Sequence, residues 1–489
     1  MNKLVTNIKE ITDKTVIFHS DNQHEVTYSD EWGTRTIFGV RNEDGFMRNY
    51  LKDNNIPLYF SDKSLVNDIN NNKTLEYTRT LESDKITIME LEMHPIEPPH
   101  VYDSLVKFYN QWDELIPLMQ QKKLISLIYF GWEADDWNSK HENIYGLKYS
   151  NDKKYLMNDG EISTLDMIMK FQEEFNIPKE SMIFIHSNLR GDELQKYYYK
   201  NETNLPEVWY DYWYEFESFV RPKHSSPMDY PFETYFDELK KNINHKFLRV
   251  NRTWHKQRDM LAYFIEKIGL FNECNWEHKE LQKDQLKSEL EILLEESSGN
   301  IDEEFQRMVS NCNPIDYDVI NKFTEKLPLI SSIEERSKFE LLGDHISNET
   351  IPSSIYTTAP ISYISTSFPA IDNQVFIHMS TFNPIYNYHP ILFNGNPYTL
   401  REMKRLGFKS FDWLFDEKYD EVPSERERLI YSLVEFEKIS KLSNNQILDL
   451  IYNNQDKLIF NRELMLSFKS YHRFFDKMNN HLKKYYGDK

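Results

Sequence analysis

At 489 residues the chain is too long for one ordinary core and long enough for two packed domains. Its 58 Lys and Arg stand against 79 Asp and Glu, and the formal charge of -21 opposes nonspecific attraction to a nucleic-acid backbone or an anionic membrane, while leaving room for a local basic groove. Aromatic residues at 15% are too many for a disordered chain, and the two cysteines, Cys274 and Cys312, sit in no CxxC or Cys/His array, which excludes a zinc site of that kind and fits a reducing compartment.

The N-terminus MNKLVTNIKEITDKTVIF has scattered charges and no apolar stretch of secretory-signal length, and no later run approaches the ~20 apolar residues of a membrane span. The expected location is cytoplasmic. Short apolar runs then recur in chain order: Thr15–His19, Ile86–Met89, Leu124–Phe130, Ser181–His186, Lys246–Val250 and Pro390–Phe393. Flanked by polar turns, they predict buried parallel strands. Between them Val101–Gln120, Thr164–Phe175 and Arg258–Ile268 show apolar residues at helical spacing. This alternation predicts an α/β architecture.

The segment Arg221–Pro231, with three prolines, disfavours helix and predicts a linker or surface loop. It divides an N-terminal domain, 1–230, from a second, 231–424; the stretch 425–489 reads as helical throughout. A leucine stripe from Leu281 to Leu294 predicts a peripheral amphipathic helix. The aromatic cluster Trp209–Phe219 either packs between domains or stacks a sugar or nucleobase.

Two stretches can carry chemistry. In FLRVNRTWHKQRDM a strand runs into Asn251 and Arg252, and a helix opens near Arg258. That order places backbone N–H groups, a positive helix end and guanidinium forks around a phosphate, or else makes a solvated basic turn. In Phe376–Asp420 a strand into His378–Thr381 leads to a second strand at Pro390, a helix closed by Gly407, and the acidic-aromatic run FDWLFDEKYD. This predicts a β-α-β-α unit with its ligand at the carboxyl ends of the strands. With only 13 glycines and no GxGxxG or GxxxxGK[ST], a Gly-rich phosphate cradle is excluded.

His389–Pro390, Gly395–Pro397, Thr399–Leu400, Leu406–Phe411 and Asp416–Asp420 together resemble a motif of glycosyltransferase-like proteins common in tailed phages, themselves similar to the exostosin and fucosyltransferase type. VNRTWHKQRDML, IHSNLRGDELQKYY and IYFGWEADDW add weaker matches, so the resemblance covers roughly 120 to 430. It implies a GT-B-like fold of two Rossmann-like domains facing a central cleft, with C-terminal helices. The implied activity is sugar transfer from a nucleotide-sugar to an unknown acceptor: a glycan, a protein, or a hydroxymethylated base in phage DNA. No cofactor is implied, and a phage-encoded chain would work in the host cytoplasm.

The resemblance maps donor contacts onto Asn251, Arg252 and Arg258. The family's strand before the His-Pro helix usually ends in Thr-Glu-Lys-Thr-Phe, the Glu holding ribose and the Lys phosphate. Here Met379 and Ser380 take those places, forgoing charge-assisted contacts of roughly 1.5–3 kcal/mol each. Two readings follow: the donor is held instead by His378, Ser380, Thr381 and the arginines, or the fold persists as a catalytically silent binding or scaffold protein. For an inverting transfer, Glu133, Asp135, Asp136 and His186 are the candidate bases, each also readable as a solvated acid or a core histidine. Adjacent Asp135 and Asp136 lack the spaced DxD form, so no metal is assigned.

Overall fold

The computed structural model describes residues 15–18, 26–30, 33–40, 86–93, 98–110, 115–130, 164–186, 189–201, 203–210, 231–251, 256–278, 302–327, 353–365, 379–466 and 469–486, with single positions within 283–291 and at 329, 375 and 377. The protein is mixed α/β and forms two compact units: Met1–Tyr214 with Ser470–Lys489, and Glu215–Lys469.

In the first unit, β1 (Thr15–Phe18), β2 (Val26–Asp30), β3 (Gly33–Val40), β4 (Ile86–Met93), β5 (Leu124–Phe130), β6 (Met182–His186) and β7 (Glu207–Tyr210) share one sheet. β4 pairs with β1 in parallel over its first half and with β3 antiparallel over its second. From β4 to β7 the strands lie side by side in chain order, all parallel. Every position of β6 is buried, as expected of a strand covered on both faces.

Helices α1 (Pro98–Asn110), α2 (Leu115–Gln120), α3 (Thr164–Glu174) and α4 (Gly191–Tyr198) connect these strands. Val101, Leu105, Phe108 and Tyr109 form the buried stripe of α1, at i, i+4, i+7 and i+8, and the Tyr109 ring meets Phe171 of α3 at 5.6 Å. Each such side chain removed from water contributes about 1.5–3 kcal/mol.

The second unit carries a four-stranded parallel sheet in the order β11-β10-β8-β9: β8 (Phe247–Asn251), β9 (Cys274–His278), β10 (Ile361–Ser365) and β11 (Ile391–Asn394). Its helices are α5 (Phe232–Asn242), α6 (Lys256–Lys267), α7 (Glu303–Cys312), α8 (Tyr317–Glu325), α9 (Met379–Tyr386), α10 (Thr399–Arg405), α11 (Glu425–Ser440), α12 (Asn444–Asn453) and α13 (Gln455–Leu466). α6 is buried from Gln257 to Ile265 without a break, so its polar first turn lies inside the unit. α6 and α10 end alike, on Gly269 (φ 75°) and Gly407 (φ 103°). In both, the glycine N–H and the one after it bond back to the last turn, which satisfies otherwise orphaned carbonyls.

The last helix, α14 (Lys469–Tyr486), returns the chain to the first unit. Nε2 of buried His481 donates to the Glu180 carbonyl at 2.8 Å, and the Tyr486 hydroxyl donates to the same oxygen at 3.2 Å. Trp209, buried on β7, meets the His481 ring edge-on at 5.9 Å, so this member of the aromatic cluster packs inside its own unit.

The predicted strands at 15, 86, 124, 181, 246 and 390 are present within one or two residues, except that Ile86 opens a strand running to Met93. One expectation is overturned: 379–381 are helical, opening α9, and the strand feeding that helix is β10, Ile361–Ser365. Two serines and a tyrosine hide β10 from an apolar-run reading. Two of those polar groups find buried partners instead, Ser362 on His389 and Tyr363 on Ser432. Within 283–291 the described residues are helical and bury Leu286 and Leu290, as the leucine stripe predicts.

Candidate functional site

In the second unit β8 connects through α6 to β9 on one side, while β10 connects through α9 to β11 on the other. The strand order therefore reverses between β8 and β10. In open parallel sheets ligands bind outside the carboxyl ends of the strands at such a reversal. The first turns of α6, α9 and α10 begin at that edge, because each helix follows a strand that ends there.

Arg258, in the first turn of α6, crosses the reversal: its Nε donates to the carbonyl of Ser365, the last residue of β10, at 3.1 Å. The residue is 4% exposed. Side-chain atoms of Gln257, Asp259, His278, Ser365, Thr381 and Asn396 are buried here without a hydrogen-bond partner among the described residues. All six lie on strand ends, first turns or the loop after β11. Leaving a buried polar atom unpaired costs about 1–3 kcal/mol unless a water, ion or ligand meets it.

The far side of this edge is braced by the acidic motif. Asp416 caps the short helix Glu417–Glu421 through the Lys418 N–H at 3.1 Å. Glu417 accepts from the Phe411 N–H at 2.7 Å and pairs with Lys404 at 2.7 Å. The Tyr419 hydroxyl accepts from the Phe393 N–H of β11 at 3.1 Å. Asp420 accepts the Arg401 N–H at 3.0 Å and so caps α10, whose own N-cap, Tyr398 (φ 69°), supplies no side-chain bond. Burial pushes the Asp420 carboxyl up to about 7, with Glu417 adding to it and the Leu400 and Arg401 N–H groups and Arg428 opposing. Arg428 holds the adjoining loop through the carbonyls of Gly395, Val422 and Pro423. These carboxylates are structural fixtures of the loop after β11.

His389 is likewise structural. Its Nε2 donates to the Tyr356 carbonyl at 2.6 Å and its Nδ1 accepts from Ser362 at 2.9 Å. Burial lowers its pKa to about 4, so the ring is neutral near pH 7.

Of the donor residues expected from sequence, the structure brings Arg258 and the fully buried Thr381 to this edge. Asn251 is the last residue of β8, and Ser380 lies in the first turn of α9. Arg252 and His378 lie outside the described residues. On the first unit His186 ends β6, buried, its ring edge-on to Tyr210 at 5.8 Å, and burial lowers its pKa to about 3. Glu133, Asp135 and Asp136 lie outside the described residues.

Sequence reasoning missed Gly191, the first residue of α4: a Cβ there would lie 1.9 Å from the Tyr210 ring, so only glycine lets β7 close over this helix start. It also missed Asp259 and His278, whose only signal is polarity at a first turn and at a strand end.

Among the described residues no group of three or more His, Cys, Asp or Glu is placed to hold a metal ion, and no helix is long and apolar enough to cross a membrane.

No protein-family model matches the chain, and no curated protein matches it. Among solved structures it is similar to an alpha,alpha-trehalose-phosphate synthase (UDP-forming) from Burkholderia vietnamiensis, at 8% identity and a TM-score of 0.36, over 95% of this chain and 91% of that one. An alpha,alpha-trehalose 6-phosphate synthase from Burkholderia multivorans is similar at 9% identity and 0.36, over 97% and 92%. At these TM-scores the likeness decides neither fold family nor chemistry.

Proposed function

We propose that the protein is a glycosyltransferase of GT-B-like organisation whose second unit binds the diphosphate of a nucleotide-sugar at the carboxyl edge between β8 and β10. The observation that carries this reading is Arg258, set in a helix first turn and bonded across the strand reversal to Ser365, amid buried polar atoms that lack partners. The sequence resemblance supports it through the same residues. Departure of a nucleoside diphosphate develops negative charge on the phosphate oxygens. A guanidinium and a helix N-terminus already in place stabilise that charge without reorganising.

Asn251, Arg252, Ser380, Thr381 and His378 complete the proposed donor set. The acceptor hydroxyl needs a base, for which Glu133, Asp135, Asp136 and His186 are the candidates. An imidazole whose pKa is about 3 is poorly matched to accepting a proton near neutrality, which favours the carboxylates for this role.

A second reading, a catalytically silent donor-binding or scaffold protein, is favoured by Met379 and Ser380, which open α9 with neither the acid nor the amine of the family pattern. A thermal-shift panel of uridine, guanosine, cytidine and thymidine diphosphate sugars tests both. Stabilisation by one donor that Arg258→Ala abolishes supports donor binding, and release of the nucleoside diphosphate with an acceptor supports transfer. No stabilisation by any donor sinks the enzyme reading. Glycan, peptide and hydroxymethylated duplex acceptors, assayed at low salt, separate the acceptor classes.

A further inference from the structure

One buried residue of the strand reversal is left unused by the donor set. Gln257, in the first turn of α6, is 4% exposed, and its side-chain amide nitrogen donates to Glu425 Oε1 at 2.8 Å. Glu425 opens α11. Its oxygen is the acceptor of that bond, so the NH2 end of the amide has to face it, and the orientation of the Gln257 amide is fixed rather than interchangeable. The amide oxygen is thereby turned the other way, buried and without a hydrogen-bond partner.

α11 also holds what lies beside this group. One turn after Glu425, Arg428 donates through Nε to the Gly395 carbonyl at 2.8 Å, so the start of the helix is fastened both to the first turn of α6 and to the loop after β11. Asn396, the next residue of that loop, is likewise 4% exposed and carries a second buried side-chain oxygen with no partner. Ser365 and Thr381 add buried hydroxyls.

These unpaired atoms sort by what each can take. A hydroxyl donates or accepts, whereas an amide oxygen only accepts. Phosphate oxygens are acceptors too, so they suit Arg258, the hydroxyls and the helix N–H groups, and they leave an amide oxygen unsatisfied. Gln257 Oε1 needs a ligand group that brings its own hydrogen. In a nucleotide-sugar, the groups of that kind beside the diphosphate are the hydroxyls of the two rings bonded to it.

We propose that Gln257, oriented by Glu425, is a specificity-determining residue of the donor site, its amide oxygen accepting a hydrogen bond from a ring hydroxyl of the nucleotide-sugar. The inference rests on the donor reading and divides its labour: Arg258 holds the charge, and the residue before it reads the polyol. Glu425 is a positioning residue that acts through Gln257 by setting which end of the amide faces the ligand.

Calorimetric titration of the full chain compares uridine, guanosine and cytidine diphosphate with their 2′-deoxy and 3′-deoxy counterparts. A second arm compares uridine diphosphate glucose and guanosine diphosphate mannose with forms singly deoxygenated on the sugar. Loss of the recognised hydroxyl should weaken binding to the wild type about tenfold, since it leaves a buried acceptor unpaired. An effect at 2′ or 3′ assigns that hydroxyl to the ribose, and an effect confined to the second arm assigns it to the transferred sugar. In Gln257→Met, which keeps the side chain's length and removes its amide, parent and deoxy ligands should bind alike. Glu425→Gln frees the amide to turn over and should shrink the discrimination while diphosphate binding persists, a change that loss of a purely structural contact would not produce. Diphosphate binding with no hydroxyl discriminated by the wild type, or with discrimination undiminished in Gln257→Met, overturns the inference and leaves the donor reading standing, whereas no binding of any diphosphate to the wild type overturns both. Should Gln257→Met fail to fold, Glu425→Gln decides, and undiminished discrimination there refutes the proposal.

Discussion

Arg258 on α6 and Ser365 at the end of β10 are joined at 3.1 Å, Nε to carbonyl, so the helix that follows one strand is fastened to another strand across the point where the sheet order reverses. The bond is almost completely shielded from water, with Arg258 4% exposed.

Replacing Arg258 by alanine leaves the Ser365 carbonyl without this donor and removes a charged hydrogen bond, a loss of about 1–3 kcal/mol. Lysine keeps the charge but not the planar fork. Denaturant unfolding should therefore rank wild type above Arg258→Lys and Arg258→Ala, and any thermal shift by a nucleoside diphosphate should be weakened by lysine and lost with alanine. A full diphosphate shift in Arg258→Ala would remove Arg258 from the site.

Asp420 makes the stability of the second unit fall with rising pH. Its folded pKa of about 7 lies above the ordinary 3.8, so between those values the folded protein holds a proton that the unfolded chain has released. Stability is lost as pH climbs through that window, up to on the order of 4 kcal/mol at 1.36 kcal/mol per unit. His389 in the same unit, and His186 in the first, with pKa lowered to about 4 and about 3, act in the opposite sense, stability rising with pH from there toward 6.5. Both histidines are unchanged in Asp420→Asn, so the difference between wild-type and variant unfolding curves isolates Asp420. That difference should favour the variant increasingly from acid to alkaline pH; a flat difference would refute the assignment.

Gly191→Ala should displace the Tyr210 ring, since the added carbon would sit 1.9 Å from it. Overpacking of this kind costs about 1–3 kcal/mol. A double-mutant cycle checks the cause: in a Tyr210→Ala background the same glycine substitution should cost much less. Equal costs in both backgrounds would show that the helix start, not the ring, demands glycine.

His389→Ala breaks two buried hydrogen bonds, to Tyr356 and Ser362, and should destabilise by about 2–4 kcal/mol. Because the effect is on packing of the second unit, the affinity of the folded fraction for a nucleoside diphosphate should stay within a few-fold. A selective loss of binding at unchanged stability would instead give His389 a ligand role.

The strands legible in the amino-acid pattern, such as Leu124–Phe130 and Met182–His186, are those whose apolar side chains are continuous, because a strand buried on both faces needs no polar positions. β10 is illegible for the opposite reason. Its Ser362 and Tyr363 are satisfied in the interior because His389 and Ser432 come to them from distant parts of the chain. The same physics misplaces a strand at His378–Thr381, where an apolar stretch runs into a helix start. The acidic run Asp416–Asp420 stands out in the sequence as a concentration of carboxylates beside an expected ligand. Only its backbone partners reveal that Asp416, Glu417 and Asp420 hold the loop and α10 in place.

By itself, then, the sequence determined the alternation of parallel strands and helices and the helix end closed by Gly407, because hydrophobic periodicity and backbone freedom act over a few residues. Which strands neighbour one another, and hence where the order reverses and which first turns converge there, only the tertiary structure decided. The placing of Arg258 against Ser365, and of Asp259 against His278, depends on pairings across long stretches of chain, and no local pattern encodes the burial that gives those charges their strength.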